Sequence, residues 1–509
     1  MRPSYLSSAF SVRKLLGACA LSALATGVAG AQELEEATSE AETVVVWGTA
    51  VSADSLYLGE QEIAVKQADH LSDLLRAIPG VDVGGTHSVN SRINVRGLDD
   101  RALNVYIDGA LQTNYLYHHI GNLLVNPDIL KSADLQVGAN TVTAGGLGGV
   151  VRFETKDAAD LLAATGNRFG GRIMGSYNDN AQYGLSLTGY GQLTDQVDGL
   201  VYLNRIDRDN FEDGSGRATI GSDGTTDNAL VKLGFDVASN QRIELSYDRL
   251  FDSGDYTQRP DMGVLTNEAI TGGILIPTED TRETINASYQ LDLGEALFLD
   301  ATYYTNDMSL WRDESSPAIP RSPGVRREVT ADNQGINVLA ESVVQTGAVA
   351  HTLRYGGEWF DQNLDFFADL DAGAVPVQQA AETTALFVED EIKLGDRLIV
   401  RPGARHNSYE ATYLASGASG SWEEMTYGAA GEFLLGDGFR LLASYTEIFR
   451  GPELAEPFGG GGANKIVNPN LEPETGDNVE FGVRYSGLVD GARINLGANV
   501  FKTTIDDFI

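Results

Sequence analysis

The sequence predicts a membrane all-β protein: a large antiparallel transmembrane β-barrel with an N-terminal α/β plug domain inside its lumen. Three observations carry this expectation. The chain opens on a segment with the pattern of an export signal. A glycine-punctuated block of mixed helix and strand signals follows, at Asp69–Thr155. From Gly166 onward, apolar side chains alternate with polar or small ones through the rest of the chain.

The opening segment spans residues 1–31. Arg2, Arg13 and Lys14 supply a basic start, Leu15 to Val28 is an apolar run, and Ala29-Gly-Ala31 is a small-residue cleavage site before Gln32. Cys19 is the only cysteine, and too little apolar sequence separates it from Lys14 for a lipoprotein signal. Once the segment is removed, no disulfide, thiol nucleophile or cysteine-held metal is expected. No later apolar run approaches the ~18–20 residues that a membrane helix needs. A barrel needs only an apolar outer face, so the polar average leaves it open. The formal charge is −36, and the signal segment contributes only positive groups, so the remainder is more acidic still. Nucleic acid is excluded as a partner. Solubility and long acidic loops account for the excess, as would cation bridging to anionic lipopolysaccharide or capture of a cationic or metal-bearing ligand.

Residues 32–50 form an arm. Gln32–Glu42 is acidic and aperiodic, which predicts disorder. Thr43-Val-Val-Val-Trp47 is a β-branched run, readable as a first core strand or as an exposed strand that a partner captures by edge pairing. Its isolation behind a polar arm favours capture. Residues 51–157 are the plug domain. Leu71, Leu74, Leu75 and Ile78 share one helix face within Asp69–Ile78, capped by Asp69 or Ser72 and stopped by Pro79-Gly80. Val81–Val83, Ile93–Val95, Leu103–Ile107, Leu135–Val137 and Val150–Phe153 read as strands, and Asp108-Gly109 as a tight turn. Asn126–Lys131, with Pro127 at its first position, reads as a helix start.

Residues 158–509 are the barrel. Ala229, Val231, Leu233, Phe235 and Val237 alternate with polar or small neighbours, as do Ile285 to Leu291, Leu297 to Tyr303 and Leu353 to Trp359. A sheet with one wet face gives the same alternation. Long polar inserts at Arg208–Asp227, Phe251–Glu283, Asp313–Asn333 and Asp361–Glu382, alternating with short turns such as Leu434–Gly438, favour the barrel. The pattern gives roughly 14–16 strands.

Several runs then resemble a known family. Asn94-Val-Arg-Gly97, Tyr106-Ile-Asp-Gly109, Val137-Gly138 and Gly145–Thr155 look like the plug of TonB-dependent outer-membrane receptors. Thr43, Val44, Val45, Val46 and Trp47 are similar to that family's TonB box. Phe387–Ile392 and Phe481–Tyr485 resemble its barrel strands. Within the family the closer likeness is to heme and hemoglobin receptors. Phe449-Arg450-Gly451-Pro452 resembles their Phe-Arg-Ala-Pro motif with glycine for alanine. Asn468, Pro469, Asn470 and Leu471 match their second motif, and Glu154–Leu162 resembles their plug-to-barrel junction. Residues 453–467 contain no histidine, where such receptors usually place a heme ligand. The family barrel has ~22 strands, so the chain is expected to be a truncated one.

The resemblance implies a monomeric, multi-pass receptor and active transporter in the outer membrane of a Gram-negative cell. It would couple to TonB and contact outer-membrane lipid and lipopolysaccharide. Its cargo would be heme, a heme protein or a heme-like iron chelate, with a ferric siderophore as the alternative and no tightly bound cofactor. A passive porin or a β-rich adhesin is the alternative of another class. A porin would lack the 43–157 block, and an adhesin would show tandem repeats. No enzyme motif and no metal site is found. Outward plug loops would bring His87, Tyr115, Tyr117, His118 and His119 to the binding face, since imidazole and phenolate ligate ferric heme; ordinary loop hydrogen bonding is the competing reading. Arg96, Arg101 and Arg152 are expected to latch the plug to barrel carboxylates at Glu389, Asp390 and Glu391, against a reading as plain surface charges.

Overall fold

The computed structural model describes residues 56–68, 70–84, 88–90, 92–113, 119, 125–139, 141–163, 166–178, 182–319, 324–373, 377–413, 418–454, 470–489 and 492–509. The predicted signal segment, the arm and the 43–47 run lie outside them.

The plug begins with β1 (Leu56–Leu58), α1 (Glu60–Lys66) and α2 (Leu71–Leu75). Helix α2 is shorter than the predicted 69–78, and its cap is neither Asp69 nor Ser72. The His70 ring accepts a hydrogen bond from the Ser72 amide at 3.1 Å. Burial holds that imidazole's pKa below its ordinary value. Strands β2 (Val81–Gly84) and β3 (Arg92–Val95) pair with each other. A five-stranded sheet joins β1, β6 (Leu130–Val137), β7 (Gly149–Thr155), β4 (Asn104–Ile107) and β5 (Ala110–Gln112) in that order. Only the β4–β7 pairing is parallel. The predicted turn is present: Asp108 and Gly109 have φ of 48° and 80° between β4 and β5. The Asp108 carboxylate then accepts from the Thr155 amide at 2.7 Å and its hydroxyl at 2.6 Å, tying the Tyr-Ile-Asp-Gly run to the Phe-Glu-Thr run. Leu71, Leu74, Leu75 and Ile78 pack on Val83, Ile93, Val105, Leu135 and Phe153, as the helical spacing required.

The helix expected at Asn126–Lys131 is one 3-10 turn, Pro127–Ile129, capped by the Asn126 side chain. It stops there because Leu130 opens β6, a strand enclosed between β1 and β7. Neither α1 nor α3 (Ala158–Ala163) was read from sequence; α3 starts on a reciprocal box in which Asp157 and Asp160 each accept the other's amide.

The barrel wall is a 15-stranded sheet in simple sequence order, every neighbour antiparallel. Its strands are β8 (Phe169–Asn178), β9 (Gln182–Gln192), β10 (Val197–Arg208), β11 (Gly224–Ala238), β12 (Gln241–Tyr256), β13 (Ile276–Asp292), β14 (Phe298–Asp313) and β15 (Arg326–Thr346). β16 (Val349–Phe367), β17 (Val377–Leu394), β18 (Leu398–Tyr413), β19 (Ala418–Gly436), β20 (Phe439–Arg450), β21 (Glu474–Val489) and β22 (Ala492–Asp506) complete it. Alternation is realised as inside and outside. Val231, Leu233, Ile285, Tyr303 and Tyr355 are exposed on the outer face, whereas Leu230, Lys232, Asn286 and Tyr304 are buried. No helix among the described residues is long and apolar enough to cross a membrane.

Short turns link strands at one end, and every connection of nine or more residues lies at the other, as expected, although β8–β9 and β18–β19 are joined there by only three and four residues. The polar inserts themselves are smaller than predicted. Strands β12 to β17 run deep into them, and the Phe251–Glu283 insert also holds helix α4 (Val264–Thr271). The reason is physical. Beyond the apolar band the outward face turns polar while buried Val329, Ala331, Leu364 and Phe366 occupy the inward face, so the alternation changes phase and the strand no longer reads as a continuation while backbone pairing continues.

Candidate functional site: the plug–wall seam

The seam between plug and wall joins polar groups on both sides, interrupted by small apolar patches where Ile129 meets Leu200 and Tyr202, Leu147 meets Ile448, and Ala110 meets Tyr304 and Phe360. Arg96 sits in the turn after β3 with a left-handed φ of 51°, a conformation that non-glycine residues seldom hold. Its guanidinium meets Glu480 of β21 at 2.6 and 3.1 Å. The two side chains are 4% and 3% exposed. The Phe501 ring covers the pair, 3.9 Å from Cζ. Asn478 and Asn499 also donate to the Glu480 carboxylate. Gly138 supplies the space: a Cβ there would stand 2.3 Å from Arg96 Nη1 and 2.6 Å from Glu480 Oε1. Around the wall, Thr141 donates to Glu389 at 2.8 Å, Asn478 to the Ala139 carbonyl, Asn337 to the Gly109 carbonyl and Lys232 to the Thr155 carbonyl.

These contacts differ from the predicted latch pairs. Arg96 reaches Glu480, not residues 389–391. Arg101 pairs with Asp99 in its own turn at 2.7 Å. Arg152 lies in β7 with its guanidinium 5.3 Å from the Tyr106 ring. Of the three carboxylates, Glu389 meets the plug through Thr141, and Glu391 is held within the wall by Arg401 at 2.9 Å. Asp390 binds His351 of the neighbouring strand at 2.8 Å. Consecutive strand residues face opposite sides, so Asp390 points away from the lumen that Glu389 and Glu391 face.

Among the candidate ligands, His87, Tyr115, Tyr117 and His118 lie outside the described residues. His119 is described and buried, with Nδ1 2.5 Å from Nη1 of Arg312 on β14. A guanidinium only donates, so that nitrogen spends its lone pair on Arg312 rather than on a metal. His119 is therefore a plug-to-wall contact, not a group on an open face. Among the described residues no cluster of three or more metal-ligating side chains is present.

Three motif residues close the outer side of the seam. Phe449 packs with Tyr409, Tyr413, Leu454 and Val89 in an apolar cluster. Arg450 donates to the Arg101 carbonyl at 2.6 Å and to Glu453 at 2.7 Å, and is also paired with Glu474. The Pro452 carbonyl accepts from the Tyr409 hydroxyl at 2.6 Å. Glycine stands at 451 because the Tyr409 ring occupies the place of a Cβ, 2.1 Å from where it would be. Asn470 and Leu471 lead into β21, while Asn468 and Pro469 lie outside the described residues. Beneath these residues is a cavity of about 190 Å³, lined by Asn104, Tyr106, Gly145, Glu358, Arg405 and Arg450 among others. It is smaller than the ~300–1,000 Å³ of most ligand pockets.

Inside the plug, burial pushes the Asp134 carboxyl up to about 6, although Arg152 opposes the shift. A raised carboxyl pKa means that the folded plug binds the proton more tightly than the unfolded chain. Plug stability should therefore fall as pH rises from about 4 to 6. Asp134→Asn is expected to flatten that slope in urea unfolding followed across the window.

Comparisons with known proteins decide the family. A model described as "TonB dependent receptor-like, beta-barrel" matches residues 157–509, and one described as "TonB-dependent Receptor Plug Domain" matches residues 46–150. The chain belongs to the TonB-dependent receptor family. The chain is 28% identical over 458 residues to the heme transporter BhuA of Brucella abortus (strain 2308), covering 87% of this chain and 65% of that one. It is 25% identical to a hemin receptor of Yersinia enterocolitica, covering 92% and 70%. The chain thus spans about 65% of the length of the Brucella heme transporters that it matches. Among solved structures, the FrpB iron transporter from Neisseria meningitidis (F3-3 variant) superposes with a TM-score of 0.78 at 22% identity, covering 90% of this chain and 73% of that one. The Serratia marcescens hemophore receptor HasR, in complex with its hemophore HasA and heme, gives 0.72 at 17% identity, with 89% and 73% covered. Those likenesses establish the fold: a β-barrel wall around a plug. Sequence reasoning missed Glu480, which pairs with Arg96 of the plug, and Arg405, over which Gly145 of the plug packs. Glu480 lies at an inward position between the exposed Val479 and Phe481, which is the signal that marks it, whereas Arg405, between Ala404 and His406, carries no such signal.

Proposed function

We propose that this chain is an outer-membrane receptor and active transporter for an iron compound, with heme or a heme-like iron chelate as cargo. The observation that carries the reading is the pairing, in one chain, of the plug match with a barrel match, in a sequence whose curated relatives are named heme transporters and hemin receptors. The seam supports it. A plug held by hydrogen bonds and ion pairs can part from its wall without exposing a large apolar core.

In this reading Thr43–Trp47 adds as an edge strand to the periplasmic domain of TonB. The pull then displaces the plug, because a tight site releases slowly and the outer membrane has no nucleotide pool. The long connections face outward and meet lipopolysaccharide at their base. Deleting Thr43–Trp47 should abolish uptake and leave cargo binding to whole cells intact; surviving uptake would exclude this coupling. The cargo is tested by growth of an iron-starved host given hemin or single ferric siderophores. Growth on hemin that depends on this chain supports the reading, and growth on a siderophore alone overturns it.

His87, Tyr115, Tyr117 and His118 remain the proposed iron ligands, with His119 positioning their loop through Arg312. Replacing His87 and His118 together should weaken hemin binding and shift its Soret band. Replacing His119 should leave the band where it is; a shift on that change would restore His119 as a ligand.

A further inference from the structure

Arg405 of β18 occupies an unusual place in the seam. Its Nε donates to Asn407 at 2.7 Å and its Nη2 to Glu358 at 2.5 Å, both partners belonging to the wall. Its Nη1 is buried with no hydrogen-bond partner among the described residues, and the side chain is 5% exposed. A guanidinium left short of a partner and out of water is costly, so the residue is poorly explained as a structural brace.

The plug supplies its cover. The backbone at Gly145 lies so close that a Cβ would stand 3.2 Å from Nη2 and 3.5 Å from Cζ. Tyr106 donates to the second oxygen of Glu358 at 3.2 Å. Both covers belong to the plug, whereas Arg405, Glu358 and Asn407 stay with the wall. The same residues line the 190 Å³ cavity beneath Arg450, so the seam already has unfilled space here. Withdrawing the plug would uncover one planar face and the unpaired edge of a guanidinium whose orientation Asn407 and Glu358 keep fixed.

We propose that Arg405 is a cryptic carboxylate-binding subsite on the passage side of the plug, which receives the carboxylates of an iron porphyrin as it moves inward. A guanidinium held in one orientation suits a planar carboxylate, which it grips by paired donors. The proposal rests on the cargo reading above and adds to it a residue and a route: cargo passes between the Tyr106–Gly145 side of the plug and strands β16 to β18.

The test compares hemin with its iron porphyrin dimethyl ester, which lacks free carboxylates, in cells making the full chain. Arg405→Gln should cut energised hemin uptake about tenfold while leaving hemin binding to uncoupler-treated cells within about twofold. Uptake of the ester should be the same in both proteins, and Arg405→Lys should restore part of the hemin rate. Unchanged hemin uptake, or equal losses for hemin and ester, overturns the subsite alone. Failure of the unaltered chain to bind or import hemin overturns the subsite and the cargo reading together. A second variant does not depend on cargo. Arg405→Cys should react with an anionic, membrane-impermeant thiol reagent in energised cells and not after uncoupling. Equal reaction in both states overturns the claim that plug movement uncovers this position.

Discussion

Arg96→Ala is expected to destabilise the seated plug by about 3–5 kcal/mol, the range for removing one partner of a buried ion pair. The cost comes from what is left behind. Glu480 would keep the amide donors of Asn478 and Asn499 but lose the cation that pairs with it among the described residues, at a site 3% exposed. The left-handed backbone at residue 96 is not relieved, since alanine is strained there too. Glu480→Gln should cost a similar amount, because it leaves the buried Arg96 guanidinium without its counter-charge. In the double variant the two losses should not add. Urea unfolding of the purified protein, followed by proteolysis of the plug, gives all three values. Additive losses would show that the two side chains act independently.

Gly138→Ala should be nearly as damaging for a different reason. Residue 138 has φ of 88°, where a Cβ costs roughly 1–2 kcal/mol. The added methyl would also enter the space between Arg96 and Glu480, under 3 Å from both. The pair would have to open or the strand end after β6 would have to move. Combining Gly138→Ala with Arg96→Ala removes the nearer clash and frees the Glu480 side chain to turn away from the methyl, so the double variant should be less destabilised than the sum. If Gly138→Ala alone leaves unfolding and proteolysis unchanged, the seam is looser than its geometry implies.

The sequence carried the wall and the plug core well, because both rest on short-range periodicity. Leu71, Leu74, Leu75 and Ile78 meet at helical spacing, and Val231 and Leu233 alternate with Leu230 and Lys232 wherever one face is wet and the other apolar. Strand ends were lost where the outward face turns polar and the apolar residues move to the inward face, as at Val329 and Ala331 in the Asp313–Asn333 insert. The seam was hardest to read, since its partners come from different domains: Arg96 and Glu480 are separated by 384 positions, and no local pattern links them. Asp390 is another matter. Its outward direction follows from its place between Glu389 and Glu391, and two-residue periodicity alone excludes it from a plug contact. At Gly451 the glycine was visible, but its cause, the Tyr409 ring, belongs to another strand.

One proportion of the wall has a further consequence. Strand β15 has 21 residues, which at ~3.3 Å each is about 70 Å of chain, or on the order of 50 Å of height at a typical tilt. The oily layer of a bilayer is only ~30 Å deep. In the outer-membrane placement proposed above, a stiff parapet of paired backbone would therefore stand clear of the lipid, and antibodies or phage arriving from outside would grip hydrogen-bonded masonry rather than supple fringe.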